Sequence, residues 1–272
     1  MQSAKLDSPG LPLPRPLRRL ADEMAQNESI AGGNFPLTRW SVIEAARSND
    51  ATERTRALDA LCSAYWKPVY KYIRLKFCKP PDEAQDLTQG FFAELLERDL
   101  LSRFDPAKSR LRTYIRLCAD SFVLNEIKHA SRQKRGGDAV HLALDFSAAE
   151  SELDKQTIDP ASIASPEKFE EFFEKEWIRS LFSSTVTDLR QFCVSRGKQS
   201  AFALFESYDL ADSDVSYAQL AEARGIPVTD VTNQLAWARR EFRRLAQERL
   251  RALCSTDEEF ARESKSLFGG NS

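Results

Sequence analysis

The sequence predicts an all-α protein of two helical domains joined by an acidic linker, and three observations carry that expectation. Apolar residues recur at spacings of three and four through several long segments, as on the buried face of a helix. No stretch alternates apolar and polar residues for the length of a useful strand, and no internal repeat is present. Between the helical blocks lies a polar stretch in which Asp138, Asp145, Glu150, Glu152, Asp154 and Asp159 are opposed only by Lys155. The boundaries expected are a flexible arm at 1–34, a first helical domain at 35–135, the linker at 136–166, a second domain at 167–251 and a polar tail at 252–272.

The arm is rich in Pro, Ser, Gly and charge and shows no sustained period. From Thr38 onward the pattern turns helical. Asp50 and Glu53 have the spacing of a capping box, and Leu58, Leu61, Cys62, Tyr65, Trp66, Val69, Tyr70, Ile73 and Phe77 form one apolar stripe. Pro68 should kink this helix or begin a new one, because it has no N–H to donate. After Pro80-Pro81-Asp82, a second helix turns Ala84, Leu87, Phe91, Phe92 and Leu95 inward. Ser109 is the expected cap of a long third helix that buries Leu111, Ile115, Cys118 and Phe122 and stops at Arg135-Gly136-Gly137. Ser165-Pro166 restarts helix, with Phe169, Phe172, Phe173, Trp177 and Leu181 as its stripe. A final helical block runs from Ser216 to about Leu253.

Composition excludes several function classes. Lys and Arg number 39 against 41 Asp and Glu, so net charge by itself announces no nucleic-acid binder; the placement of charge matters instead. Five cysteines, odd in number and set in apolar segments, favour buried thiols in a reducing cytoplasm over a disulfide framework. No apolar run approaches the roughly 18 residues of a membrane helix, and Leu11, Leu13 and Leu17 alternate with prolines where a signal peptide would have its apolar core. A cytoplasmic protein without membrane insertion is expected. His129 and His141 have no metal ligand at the required spacing. Gly32-Gly33 and Gly136-Gly137 lack the context of a phosphate loop, and Glu170-Glu171 reads as a solvated helix face. No catalytic residue, metal or cofactor is therefore expected.

Two constellations point toward nucleic acid. From Arg103 to Arg135, Arg103, Lys108, Arg110, Arg112, Arg116, Lys128, Arg132, Lys134 and Arg135 outweigh Asp105, Asp120 and Glu126. Arg112 and Arg116 lie one turn apart, and Lys128, Arg132 and Arg135 continue the stripe, which suits a phosphate backbone. A solvated helix face reads equally well from charge alone. Phe104 and Tyr114 favour nucleic acid, because bases stack on rings beside cations, although Phe104 also suits a core. The second constellation is a helix-turn-helix. Ser216 and Gln219 form a capping box, Arg224-Gly225-Ile226-Pro227 a tight turn, and a longer helix from about Thr229 buries Val231, Leu235, Ala238, Phe242 and Leu245. An ordinary helical hairpin shares this pattern; the basic half of the second helix (Arg239, Arg240, Arg243, Arg244, Arg249 and Arg251) favours DNA.

The order of these parts resembles the extracytoplasmic-function type of bacterial RNA polymerase sigma factor. Asp82-Glu83-Ala84-Gln85-Asp86-Leu87-Thr88-Gln89-Gly90-Phe91-Phe92 is similar to the polymerase-binding helix of that family. Arg103-Phe104-Asp105-Pro106 to Tyr114, then Asn125 and the basic run to Arg135, is similar to the segment that melts and reads the minus-10 element. Ser216-Tyr217-Ala218-Gln219-Leu220-Ala221 through Leu245 resembles the helix-turn-helix that reads the minus-35 element. The likeness spans roughly Thr38 to Arg135 and Phe169 to Arg251, and implies a non-enzymatic initiation factor with core polymerase and promoter DNA as partners. An anti-sigma factor or other regulatory protein would be a further partner.

On this resemblance Asp82, Glu83, Asp86, Gln89 and Phe92 would face polymerase, with the acids also suited to a helix start. The loop from Arg103 to Ser109, with Phe104 and Lys108, would form a pocket for an extruded base, and Arg110 would join in binding the minus-10 element. Arg112, Tyr114 and Arg116 would separate the strands and hold one of them, Asn125 would join in binding the minus-10 element, and Lys128, Arg132 and Arg135 would grip duplex phosphates. Thr229, Thr232, Asn233 and Trp237 would face the major groove, with Arg239, Arg240, Arg243 and Arg244 on phosphates. The chain departs from the family at Gln85, where a further carboxylate is commoner, at Asp120, where Asn is, and at Thr232, Gln234 and Ala236, commonly basic. Two rival readings are a one-component helix-turn-helix regulator that binds a palindrome as a dimer, and a helical scaffold that binds only protein.

Overall fold

Asp50 starts the first long helix: its carboxylate accepts the N–H groups of Thr52 (2.7 Å) and Glu53 (3.1 Å), two of the donors a helix start leaves open. In the computed structural model residues 45–46, 50–98, 100–130, 144–156, 165–211 and 215–268 are described, and among them every regular element is helical. The arm at 1–34, Arg132, Arg135, the Gly136-Gly137 stop, His141 and much of the linker lie outside the described residues. In chain order the helices are α1 (Ala51–Lys76), α2 (Pro81–Glu97), α3 (Leu111–Ala130), α4 (Phe146–Asp154), α5 (Pro166–Ser195), α6 (Gln199–Phe205), α7 (Tyr217–Arg224), α8 (Val228–Ala252) and α9 (Asp257–Phe268). A 3₁₀ turn, Leu100–Arg103, precedes α3 and a π turn, Glu206–Leu210, follows α6. No described helix is long and apolar enough to cross a membrane.

The described residues fall into two compact units. One draws on Asn34–Leu181 and Gln247–Ser264, the other on Phe182–Ala246 and Lys265–Ser272. In the first, α1 is the central element. The expected stripe is buried from Leu61 to Ile73, and Lys71 and Tyr72 are buried as well, so the middle of α1 is covered on nearly every side. The helix continues through Pro68, which begins no new helix. Each large side chain buried around it contributes about 1.5–3 kcal/mol, enough together to offset the roughly 3 kcal/mol a mid-helix proline costs. Gly90 lets α2 approach α3 closely: a methyl there would sit 3.1 Å from the Phe122 ring.

The expected acidic linker is in part a helix, α4, and two of its carboxylates, Glu150 and Glu152, are paired while Asp154 is exposed. Phe146 packs edge-on against Trp66 and Tyr70, at 5.4 and 4.9 Å between ring centres. Glu150 pairs with Arg74 (2.6 Å), while Glu152 pairs with Lys67 (2.7 Å) and Lys71 (2.9 Å). Lys71 also meets Glu176 of α5 at 2.7 Å, both side chains being 2% exposed. The Arg74 guanidinium holds the Glu150 carboxyl below its ordinary pKa. These partners lie some eighty residues away in sequence, so local composition shows Glu150 and Glu152 only as part of an acidic run.

The expected polar tail is also structured. Thr256 and Glu259 begin α9, where the Glu259 N–H donates to Thr256 Oγ1 (3.1 Å) and its carboxylate accepts from Ser255 N (2.7 Å). Glu259 and Glu263 are buried in the first unit. In the second unit Phe182 packs on Phe242 (5.8 Å) and Phe268 (6.3 Å), and Phe205 on Phe242 (5.5 Å).

Candidate nucleic-acid interface

The helix-turn-helix forms from its local signals. Ser216 Oγ accepts the Gln219 N–H (3.2 Å), and Ser216 N donates to Gln219 Oε1 (2.9 Å), which completes the capping box of α7. Gly225 ends α7 in the left-handed region at φ +62°, with Gly225 N bonded to Glu222 O (3.2 Å) and Ile226 N to Ala221 O (3.1 Å). Leu220, Ala221, Val231, Leu235, Ala238 and Phe242 are buried as the spacing predicts. Leu245 is only half-buried; Ala246, four residues after Phe242, takes the inward position. Nothing lies within 4 Å of a methyl built on Gly225, so only the backbone opposes a side chain there. Gly225→Ala is expected to lower stability by about 1–2 kcal/mol in urea denaturation, and Gly225→Asn by less.

On α8 the outward face shows Thr229, Thr232, Asn233, Ala236 and Arg240. The Thr232 hydroxyl donates to Val228 O (3.0 Å), while Asn233 is outward with an amide of the kind that can pair with an adenine edge. Arg239 is not a phosphate anchor here. Its guanidinium meets Asp209 at 2.8 Å, and Asp209 is 1% exposed at the end of the π turn. Tyr217 hydroxyl (3.2 Å) completes the site. A carboxylate so enclosed needs a cation, and Arg239 supplies it. Arg243 is half-buried. Arg244 pairs with Glu241 (2.8 Å) and lies 5.2 Å over the Phe192 ring. Trp237 is half-buried and stacks on Phe192 at 6.2 Å with 16° between planes, so it packs on α5 and not outward.

Two arginines of the α3 ridge, Arg112 and Arg116, are enclosed, against expectation. Arg112 is 4% exposed: it pairs with Glu263 of α9 and with Glu174 of α5 (2.6 Å), and its guanidinium lies 4.8 Å over the Trp177 ring. Burial opposes its charge, but Glu263 and Glu174 outweigh that and hold its pKa above the ordinary value. Arg110 joins the cluster, at 3.1 Å from Glu263 and 3.2 Å from Glu174. Arg116 is 9% exposed and pairs with Glu170 (3.3 Å) and Asp120 (3.6 Å). Asp120 also binds Lys76 (2.7 Å) and accepts from the Tyr72 hydroxyl (3.0 Å).

The loop before α3 is folded around its own side chains. Phe104 is buried against Tyr114, 5.4 Å between centres, and the Tyr114 hydroxyl donates to Leu100 O. Phe104 therefore belongs to the core and offers no face to an extruded base. Asp105 accepts from Ala107 N (3.0 Å) and pairs with Lys108 (3.1 Å). Arg103, Lys108, Asn125 and Lys128 remain exposed.

The α2 set splits in the same way. Asp82, Glu83 and Asp86 are exposed at the start of the helix, where carboxylates suit the macrodipole, and Glu83 pairs with Lys79 at 2.9 Å. Gln89 and Phe92 are buried, Phe92 completely and at 5.1 Å from Phe91. They hold the helix in place and do not present it to a partner. Reading the sequence alone missed Arg196 and Lys198, exposed cations beside Phe192 and Trp237; the signal was the pair of cations flanking Gly197. Comparison of the chain with protein-family models, with curated proteins and with solved structures gave no match.

Proposed function

We propose that the chain is a sigma-type initiation factor that binds core RNA polymerase through the acidic start of α2 and promoter DNA through α8. The observation that supports this best is the helix-turn-helix: a capped α7, a left-handed Gly225 and an α8 whose first turns leave Thr229, Thr232 and Asn233 outward. That is the geometry by which a second helix enters a major groove. The exposed Asp82, Glu83 and Asp86, one turn of like charge on α2, support a basic protein partner beside it. In this reading Arg103, Lys108, Asn125 and Lys128, exposed among the described residues of the first unit, would meet DNA, while Arg112 and Arg116 hold α3 in place.

The enclosed Arg112 and Arg116 favour a second reading, a regulator that uses the helix-turn-helix alone and binds a palindrome as a dimer. Gel filtration of the full chain with core polymerase separates the two. Co-elution is expected, and Asp86→Arg should abolish it with the helical circular dichroism signal unchanged. Undiminished co-elution of that variant would sink the α2 assignment; no co-elution of the wild type, with dimeric DNA binding, would favour the regulator.

A further inference from the structure

We propose that the turn between α5 and α6 is a second grip on the DNA backbone, set beside the recognition helix and holding duplex phosphates through Arg196 and Lys198. The inference rests on the reading of α8 as a duplex-binding helix and adds a contact which that reading did not contain.

The turn is rigid. Arg196 N bonds to Phe192 O (3.1 Å), Gly197 N to Val194 O (3.3 Å) and Lys198 N to Cys193 O (2.8 Å). Gly197, at φ +65°, takes the left-handed conformation that reverses the chain. The backbone that carries the two cations is thus ordered before a ligand arrives, and only their side chains are left to be fixed on binding.

Their charge is exposed and, among the described residues, without a carboxylate partner, as is that of Arg240 on α8. Arg239 is neutralised by Asp209, Arg244 by Glu241 and Arg190 by Glu206. Arg196 and Lys198 are exposed, and among the described residues neither has a carboxylate partner. Each lies over a ring instead: Arg196 5.4 Å from the centre of Phe192, Lys198 6.0 Å from that of Trp237. A ring face steadies a cation and leaves its hydrogen-bond donors open, which suits a phosphate.

Position supplies the partner. Ser200 Oγ donates to Gln234 Oε1 at 2.5 Å, and Trp237 stacks on Phe192, so the turn is fastened to the second and third turns of α8. Asn233, the outward base-pairing candidate, is the neighbour of Gln234 in sequence. A helix of roughly 10–12 Å diameter fills a major groove about 12 Å wide, and groups on its flank then meet the strand that borders the groove. Arg196 and Lys198 occupy such a flank, so duplex phosphate is the chemistry they fit, with no base preference.

The test uses the full chain and a labelled duplex of arbitrary sequence, about three helical turns long, with affinity measured against salt. Arg196→Ala/Lys198→Ala is expected to weaken binding and to flatten the slope of log affinity against log salt by about 1.8, two contacts of roughly 0.9 each. Urea stability and co-elution with core polymerase should not change. An unaltered slope, with Arg240→Ala still flattening it, would overturn the grip and leave the helix-turn-helix standing. Lost co-elution with an unaltered slope would make the turn a protein-docking surface, which also overturns it. If the wild type shows no salt-dependent duplex binding at all, both the grip and the reading of α8 fall.

Discussion

Arg112→Ala is expected to destabilise the first unit by about 3 kcal/mol or more, read as a lower urea midpoint, because it removes the cation from a buried ionic cluster. Arg112 stands between Glu263 and Glu174, and Glu259, also buried, lies close enough that Glu263 adds to the rise burial causes in its carboxyl pKa. Without the guanidinium, two carboxylates keep only Arg110, which is more than a third exposed and screened by water. The ring contact with Trp177 goes as well. Arg112→Lys should recover only part of the loss, since an ammonium is a point charge and cannot span both carboxylates as the planar guanidinium does. Glu263→Gln should cost less than Arg112→Ala, because Glu174 remains to hold the charge. A salt-dependent loss of DNA affinity in Arg112→Ala with an unmoved urea midpoint would show instead that Arg112 acts as an exposed backbone contact.

Phe92→Ala should cost about 3–5 kcal/mol, the range for truncating a fully buried aromatic, and not simply loosen a partner. Its ring meets Phe91 and sits on the α2 face that packs against α1 and α3. Phe91, its ring neighbour, is itself packed on Phe122 at 6.0 Å between ring centres, which limits how far it can move into the cavity left. The contrast with Asp86 is the informative part. Asp86 is exposed on the same helix, so Asp86→Arg should leave stability nearly unchanged and strike polymerase binding alone. Equal stability of Phe92→Ala and the wild type would place Phe92 on the surface.

Helices with strong local punctuation were legible one residue at a time. Asp50, Ser165, Ser216 and Gly225 each act through bonds within a few residues of themselves, so the chain nearby contains all the information needed. The apolar residues of α1, α2, α5 and α8 mostly turned inward for a related reason: a period of three and four names a buried face whatever covers it. Ser109 was one residue early, since α3 begins at Leu111 and its first bond runs from Tyr114 N to Arg110 O. Charged residues were another matter. The same arginine reads as a phosphate contact or as half of a core ion pair, according to what the fold brings opposite it.

By itself, then, the sequence determined the helical class, the main breaks and the helix-turn-helix, because caps, turns and periodicity are short-range physics. Tertiary structure alone decided which charges are free. Arg112 meets a carboxylate 151 residues away, Lys71 one 105 residues away and Arg239 one 30 residues away, distances over which no local pattern survives. An ion pair in the interior is stable only with its partner in contact, since burying either charge singly costs several kcal/mol. The choice between a core arginine and a solvent-facing one is therefore made when distant helices pack, and it left Arg196, Lys198 and Arg240 outside while drawing Arg112, Arg116 and Arg239 in.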